Sequence, residues 1–261
     1  MDFLEKINEN PYADLYFNIP EEQKIGTAAV IGGNGQNFRT VIKTAEFVAA
    51  KFPLRELKVV LPDSLKGKLP PLDNLVFLRT TDVGSFDDME GLKAAIEAGD
   101  FSLIIGDLSK NTITRGAFES AFNSSAKPMI LTRDSVDLLA EMKLERILMR
   151  ENLTIFGSLV QWQKIFKNVY YPKMLMVTQP LIQVAEAFHK FTLSYPVQVA
   201  TLHDGQILIS KNGRVIVVPL AKSGYSPLTI WNGELAGKIM ALNLYNPDKF
   251  LEATVAALFF R

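Results

Sequence analysis

Short apolar, β-branched runs alternate along the chain with segments in which apolar residues recur every three or four positions. Thr27-Ala28-Ala29-Val30-Ile31 has the continuous apolar character of a strand buried on both faces, and Gly32-Gly33-Asn34-Gly35 stops it. Phe38, Val41, Ile42, Ala45, Val48 and Ala49 then follow at helical spacing. The same reading predicts strands at 57–61, 76–78, 101–105, 128–131 and 153–156. It predicts helices over 89–98, 112–122 and 159–166, with a short one from about Asp134. Alternation of this kind builds a mainly parallel sheet with helices on both faces.

The last third changes character. A helix over 180–193 leads to an apolar run at 197–202. Runs at 206–209 and 214–218 flank Lys211-Asn212-Gly213, where the glycine supplies the positive φ of a hairpin turn. An antiparallel edge is therefore expected on the C-terminal side of the parallel sheet. Helices follow at about 233–244 and 247–260. Pro70-Pro71 reads as a rigid loop, and no linker, repeat or low-complexity segment interrupts the pattern. The expectation is one domain over 1–261.

Composition removes several chemistries. The 28 Lys+Arg balance 28 Asp+Glu among 261 residues; there is no cysteine, and the histidines are His189 and His203. Without thiolates there is no disulfide scaffold, iron–sulfur site, Cys-based zinc site or Cys nucleophile. Zero net charge argues against bulk electrostatic binding of nucleic acid. No apolar run approaches the ~20 residues of a membrane span. Met1-Asp2-Phe3-Leu4-Glu5-Lys6 lacks the basic region and apolar stretch of a secretory signal. A cytoplasmic protein with no nucleic-acid or membrane partner is expected.

Candidate chemistry gathers at predicted strand ends. Gly32-Gly33-Asn34-Gly35 lets backbone amides approach an anion at a helix amino terminus. It is no P-loop, and Phe38 stands where a dinucleotide fingerprint needs its last glycine; a tight strand-to-helix turn is the plainer account. Gly106-Asp107-Leu108-Ser109-Lys110-Asn111 lies on the face where open α/β sheets bind ligands. There Asp107 is placed to hold a hydroxyl or metal, and Ser109 to cap the next helix. In Thr229-Ile230-Trp231-Asn232-Gly233-Glu234-Leu235-Ala236-Gly237, Asn232 suits a helix cap. Gly233-Glu234 would set free amides beside a carboxylate, which suits an anion with a base next to it and also an ordinary capped helix. His203, beside Asp204-Gly205, falls on the ligand face, whereas His189 flanks an apolar helical stripe. Arg133-Asp134 reads first as a salt-bridged loop, and Trp162 as core. No spacing of histidines and carboxylates marks a metal site.

The order of these blocks resembles the ATP/ADP-dependent NAD(P)H-hydrate dehydratases, a branch of the ribokinase-like superfamily, over residues 24–260. The resemblance rests on Val30-Ile31-Gly32-Gly33-Asn34, Ile104-Ile105-Gly106, Pro128-Met129-Ile130-Leu131-Thr132-Arg133-Asp134, Leu153-Thr154-Ile155-Phe156 and Asn232-Gly233-Glu234-Leu235-Ala236-Gly237. It implies a three-layer ribokinase-like α/β fold. It implies ATP or ADP as co-substrate, hydrated NADH or NADPH as substrate, and a homo-oligomer. By the same resemblance Glu234 is the catalytic base. Asn232 and Gly233 lie at the nucleotide phosphates, together with His203, Asp204, Gly205 and Gln206. Gly33, Asn34, Thr40, Gly106 and Asp107 lie on the substrate side.

The chain also departs from that family. Glu234 replaces an aspartate, Trp231-Asn232 replaces small residues, and Phe156 replaces a substrate-side histidine. His203-Asp204 stands where the family has Lys-Gly, and the mid-chain Gly-rich block keeps only Gly106. The expectation is therefore a nucleotide-dependent dehydratase-like lyase, either working or impaired by these swaps. The alternatives are a small-molecule kinase of the same superfamily, which by analogy would use Mg²⁺, a nucleotide-binding homologue without turnover, or an assembly role.

Overall fold

The computed structural model describes residues 3–22, 24–69, 74–82 and 84–261. The Pro70-Pro71 loop and the first two residues of the amino-terminal segment lie outside these.

The early strands are β1 (Leu4–Lys6), β2 (Ile25–Gly32), β3 (Leu54–Pro62), β4 (Leu75–Leu78) and β5 (Phe101–Gly106). The later ones are β6 (Met129–Thr132), β7 (Leu153–Phe156), β8 (Gln198–His203), β9 (Gln206–Lys211) and β10 (Arg214–Pro219). They form one sheet in the order β1-β10-β9-β8-β7-β6-β5-β2-β3-β4. Every neighbouring pair from β4 to β8 is parallel. Only β9 runs against its neighbours, so β10 again points with the main sheet. The expected hairpin is present. Asn212 (φ 50°) and Gly213 (φ 76°) make its turn with two positive φ values, which matches strand twist. The outermost place on that side goes to β1, which pairs parallel with β10. The sequence pattern did not indicate β1, because three residues are too few to display a period.

The helices are α1 (Arg39–Lys51), α2 (Met89–Glu97), α3 (Thr112–Ser124), α4 (Asp134–Leu139) and α5 (Leu144–Ile147). They continue with α6 (Leu159–Asn168), α7 (Leu181–Ser194), α8 (Glu234–Tyr245) and α9 (Phe250–Phe259). Period-2 alternation divides the strand residues between two cores. Ala29, Ile31, Ile104, Leu131 and Ile155 face α2 to α7, with Trp162 fully buried among them. Ala28, Val30, Leu103, Ile105 and Phe156 face α1, α8 and α9. The result is three layers, helices on each side of a mainly parallel sheet. Among the described residues no helix is long and apolar enough to cross a membrane.

Local chemistry sets the helix starts. Ser158 and Gln161 form a reciprocal capping box at α6. At α3 the cap is Asn111, whose side chain accepts from the Thr114 amide at 2.9 Å. Ser109, the expected cap, lies two residues too early, so that expectation is corrected.

Candidate functional site

The chain winds from β2 outward through β3 and β4, then returns to lay β5 on the other side of β2. In open α/β sheets such a reversal leaves a crevice at the carboxyl ends of the two central strands. Here those ends carry Gly32-Gly33-Asn34 and Gly106-Asp107. The two loops are stitched together: the Gly33 amide donates to the Gly106 carbonyl at 2.9 Å, and Asn34 Nδ2 donates to the Asp107 carbonyl at 2.7 Å. Asn34 also accepts from the Gln36 and Asn37 amides, so its side chain shapes its own turn.

Arg133 follows β6 directly and bridges this crevice. Its guanidinium donates to the Asp107 carboxylate at 2.6 Å and to the Trp231 carbonyl at 3.1 Å. Asp134, its neighbour, pairs with Lys110 at 2.7 Å. Asp137 holds Lys110 and Lys164, at 3.1 and 2.7 Å. Burial alone would raise the Asp137 carboxyl, but hydrogen bonds from Lys164, Gln161 and Lys110 outweigh it and hold it below its ordinary range. The salt-bridged reading of Arg133-Asp134 is thus observed, with both partners, Asp107 and Lys110, in the loop after β5. A cavity of about 370 Å³ opens beside this cluster, walled by Arg133, Ser158, Gln161, Lys164 and Trp231.

The segment before α8 closes the third side. Trp231 stacks on Phe156, ring centroids 4.6 Å apart. Gly233 adopts φ 98°, and a Cβ there would stand 2.1 Å from Thr44 Oγ1 and 2.5 Å from Ile105 Cδ1. Only glycine fits. Thr44 Oγ1 is buried and has no partner among the described residues. The Glu234 amide is taken by Asn232 Oδ1 at 3.0 Å. The Gly233, Leu235 and Ala236 amides find no acceptor among the described residues, as is usual for a helix start. Thr40 lies one turn before Thr44 on α1, on the same side of that helix. Glu234 is partly exposed, and its charge is felt by Tyr225 and by Lys238 one turn along. Lys238 is buried, donates to the Phe260 carbonyl at 2.7 Å and sits over the Tyr225 ring; burial lowers its pKa.

The remaining sequence candidates fall elsewhere. His203 ends β8, is 4% exposed, and its Nε2 donates to the Gln179 carbonyl at 2.8 Å. Asp204 (φ 48°) and Gly205 (φ 66°) form the tight β8–β9 turn and are exposed, with Gln206 opening β9. No hydrogen bond or ion pair joins this turn to Gly233 or Glu234 among the described residues. His189 stacks on Phe3 and bonds the Gly213 carbonyl, a boundary position as read. Sequence reasoning read Arg133 first as part of a salt-bridged loop, with ligand contact as the lesser reading, and did not single out Thr44. Arg133 is marked only by its place after a strand end and Thr44 by no local signal, because both meet the site through tertiary contact.

A larger cleft of about 570 Å³ lies at the opposite, amino-terminal edge of the strands. Its cations are committed: Lys211 Nζ to the Glu151 and Pro196 carbonyls, Arg214 to Glu5 and Glu252. Gly233 packs closely on the buried Thr44 hydroxyl, and the start of α8 is the better anion site because it carries the unpaired Gly233, Leu235 and Ala236 amides. These fit a phosphate group of ATP or ADP. Among the described residues no three His, Asp or Glu converge as a metal-ligand set.

No family model matches the chain, and no curated protein matches it by sequence. Solved structures do share its fold. Hypothetical protein SMU.573 from Streptococcus mutans is 15% identical, with TM-score 0.69 over 97% of this chain and 88% of its own. A ribokinase-like superfamily protein from Enterococcus faecalis is 15% identical, with TM-score 0.65 over 99% and 86%. An ADP/ATP-dependent NAD(P)H-hydrate dehydratase from Bacillus subtilis, co-crystallised with ATP and Mg²⁺, is 16% identical, with TM-score 0.65 over 97% and 86%. At such identity these likenesses establish the fold, which is ribokinase-like.

Proposed function

We propose that this chain is a nucleotide-binding protein of the NAD(P)H-hydrate dehydratase type in which the phosphate site is kept and turnover is impaired. The observation that carries the reading is the set of free amides at the start of α8, where Gly233 lets the backbone pack down on Thr44. ATP or ADP would set a phosphate there, accompanied by Mg²⁺. Hydrated NADH or NADPH would lie toward Gly33, Asn34, Thr40, Gly106 and Asp107. Asp204, Gly205 and Gln206 would meet the outer part of the nucleotide, while His203 holds their turn in place through Gln179. Impairment follows from the Trp231–Phe156 stack, which puts two rings where the family has small loop residues and a histidine. A single domain, a cytoplasmic location and homo-oligomeric assembly belong to the same proposal.

One observation favours a working enzyme, dehydratase or kinase. The Glu234 carboxylate makes no ion pair among the described residues and stands beside the free amides, where a general base belongs. Thermal unfolding with ATP, ADP, NADH and NADPH, followed by turnover of the hydrates by absorbance, separates the readings. A ligand at ~100 times its Kd adds about 2.7 kcal/mol, a shift of several degrees. We expect a nucleotide shift without turnover. Turnover that is lost in Glu234→Gln establishes the working enzyme instead, and no shift with any nucleotide refutes both.

A further inference from the structure

Two non-glycine residues at neighbouring strand ends have left-handed backbones and bond each other: Asp107, φ 55°, and Arg133, φ 57° and ψ −130°. Each such conformation costs roughly 1–3 kcal/mol and persists only where its surroundings enforce it. Gly106 is part of that enforcement. A Cβ there would stand 2.8 Å from both Arg133 Cβ and the Asp134 amide. Three consecutive features are thus shaped to hold one guanidinium above the crevice, where a glycine at 133 would satisfy the backbone more cheaply.

That guanidinium is under-used. Of its donors, one reaches the Asp107 carboxylate, one reaches the Trp231 carbonyl, and Nε is buried without a partner. Arg133 touches the segment two residues ahead of Gly233, so an anion at the start of α8 lies within its reach. The neighbouring charges are already matched: Lys110 and Lys164 share Asp134 and Asp137, and Arg133 has Asp107 alone. An incoming anion is therefore best accommodated by replacing Asp107 at Arg133, not by joining the cluster.

We propose that Arg133 is a phosphoryl-anion receptor held in reserve by Asp107, and that a bound anion takes the place of Asp107 and frees the Trp231 segment. The inference rests on the reading that phosphate binds at α8, and it adds the residue that senses it. A phosphoryl group offers the planar guanidinium two acceptor oxygens and more charge than one carboxylate, which favours the exchange. The Asp107–Arg133–Trp231 chain is the latch, and the anion opens it.

Inorganic pyrophosphate and ADP are the probes, titrated by calorimetry against wild type, Arg133→Gln, Arg133→Gly and Asp107→Asn. Glycine suits the backbone at 133, so Arg133→Gly keeps the test intact if glutamine strains the fold. Acrylamide quenching of tryptophan reads the latch, because Trp162 is fully buried and only Trp231 responds. Pyrophosphate is expected to bind wild type, with affinity at least tenfold weaker in both Arg133 variants. Quenching is expected to rise in Asp107→Asn without ligand, and in wild type with pyrophosphate. Equal affinity of wild type and both Arg133 variants for ADP and pyrophosphate overturns the inference and leaves the nucleotide reading standing. Arg133-dependent pyrophosphate binding with no ADP binding sustains the inference and sinks the nucleotide reading. Binding of neither probe, or quenching unmoved in Asp107→Asn, overturns the inference.

Discussion

The indole of Trp231 lies on the ring of Phe156, with centroids 4.6 Å apart and planes 23° from parallel. Phe156 ends β7 and is 1% exposed, so its ring is a fixed platform. Trp231 ends the short 3-10 helix Thr229–Trp231 before α8, so the stack anchors the approach to Gly233. Phe156→Ala should cost about 3 kcal/mol or more, as expected for emptying a buried phenylalanine site. It should also raise acrylamide quenching of Trp231. Urea unfolding and quenching on one sample check both.

Gly233 and Thr44 give a stability test of the start of α8. Thr44→Val keeps the shape of the side chain and removes a buried hydroxyl that has no partner. The protein should gain up to about 1 kcal/mol in denaturant unfolding. Gly233→Ala should instead lose about 2 kcal/mol or more, since its Cβ collides with Thr44 and Ile105 at a positive φ.

Asp137 makes a pH prediction. Burial opposes its charge, yet bonds from Lys164, Gln161 and Lys110 leave the carboxyl lower in the folded state than in the unfolded chain. Its contribution is therefore present above the ordinary aspartate pKa of about 4 and is lost as pH falls below it. Asp137→Asn should be about 1 kcal/mol less stable at neutral pH. The difference should shrink between about pH 4 and pH 3, read from denaturant midpoints.

Lys238 carries the opposite sign. Burial depresses its pKa, so the folded protein bears the cost of a desolvated ammonium until pH rises through the folded pKa toward the unfolded value near 10.4. Lys238→Met should be the more stable protein by about 1 kcal/mol at neutral pH. That gain should fade as pH approaches about 10 to 11.

The fold was legible because its evidence is local. The runs at 27–31, 101–105 and 153–156 are too apolar for anything but buried strands, and Asn212-Gly213 announces its own turn. The three-residue β1 has no period to read. The site was legible only in part. Gly33, Gly106 and Gly233 stand out as glycines at element boundaries, and the geometry supplies a reason for each. The Asp107–Arg133 pair joins residues that meet only because β5 and β6 are neighbours. Thr44 looks like any small residue in a helical stripe until α8 packs over it. His203 shows the converse: its place at a strand end suggested a ligand, but a buried ring bonded to the Gln179 carbonyl is a fastening for the 170–180 segment.

The central claim is that a nucleotide phosphate sits at the amino end of α8. Amide NMR during an ADP titration tests it most directly. The account predicts large shifts at Gly233, Leu235 and Ala236 as their free amides gain an acceptor, saturating with the binding curve. ADP that binds while those amides stay in place would contradict it.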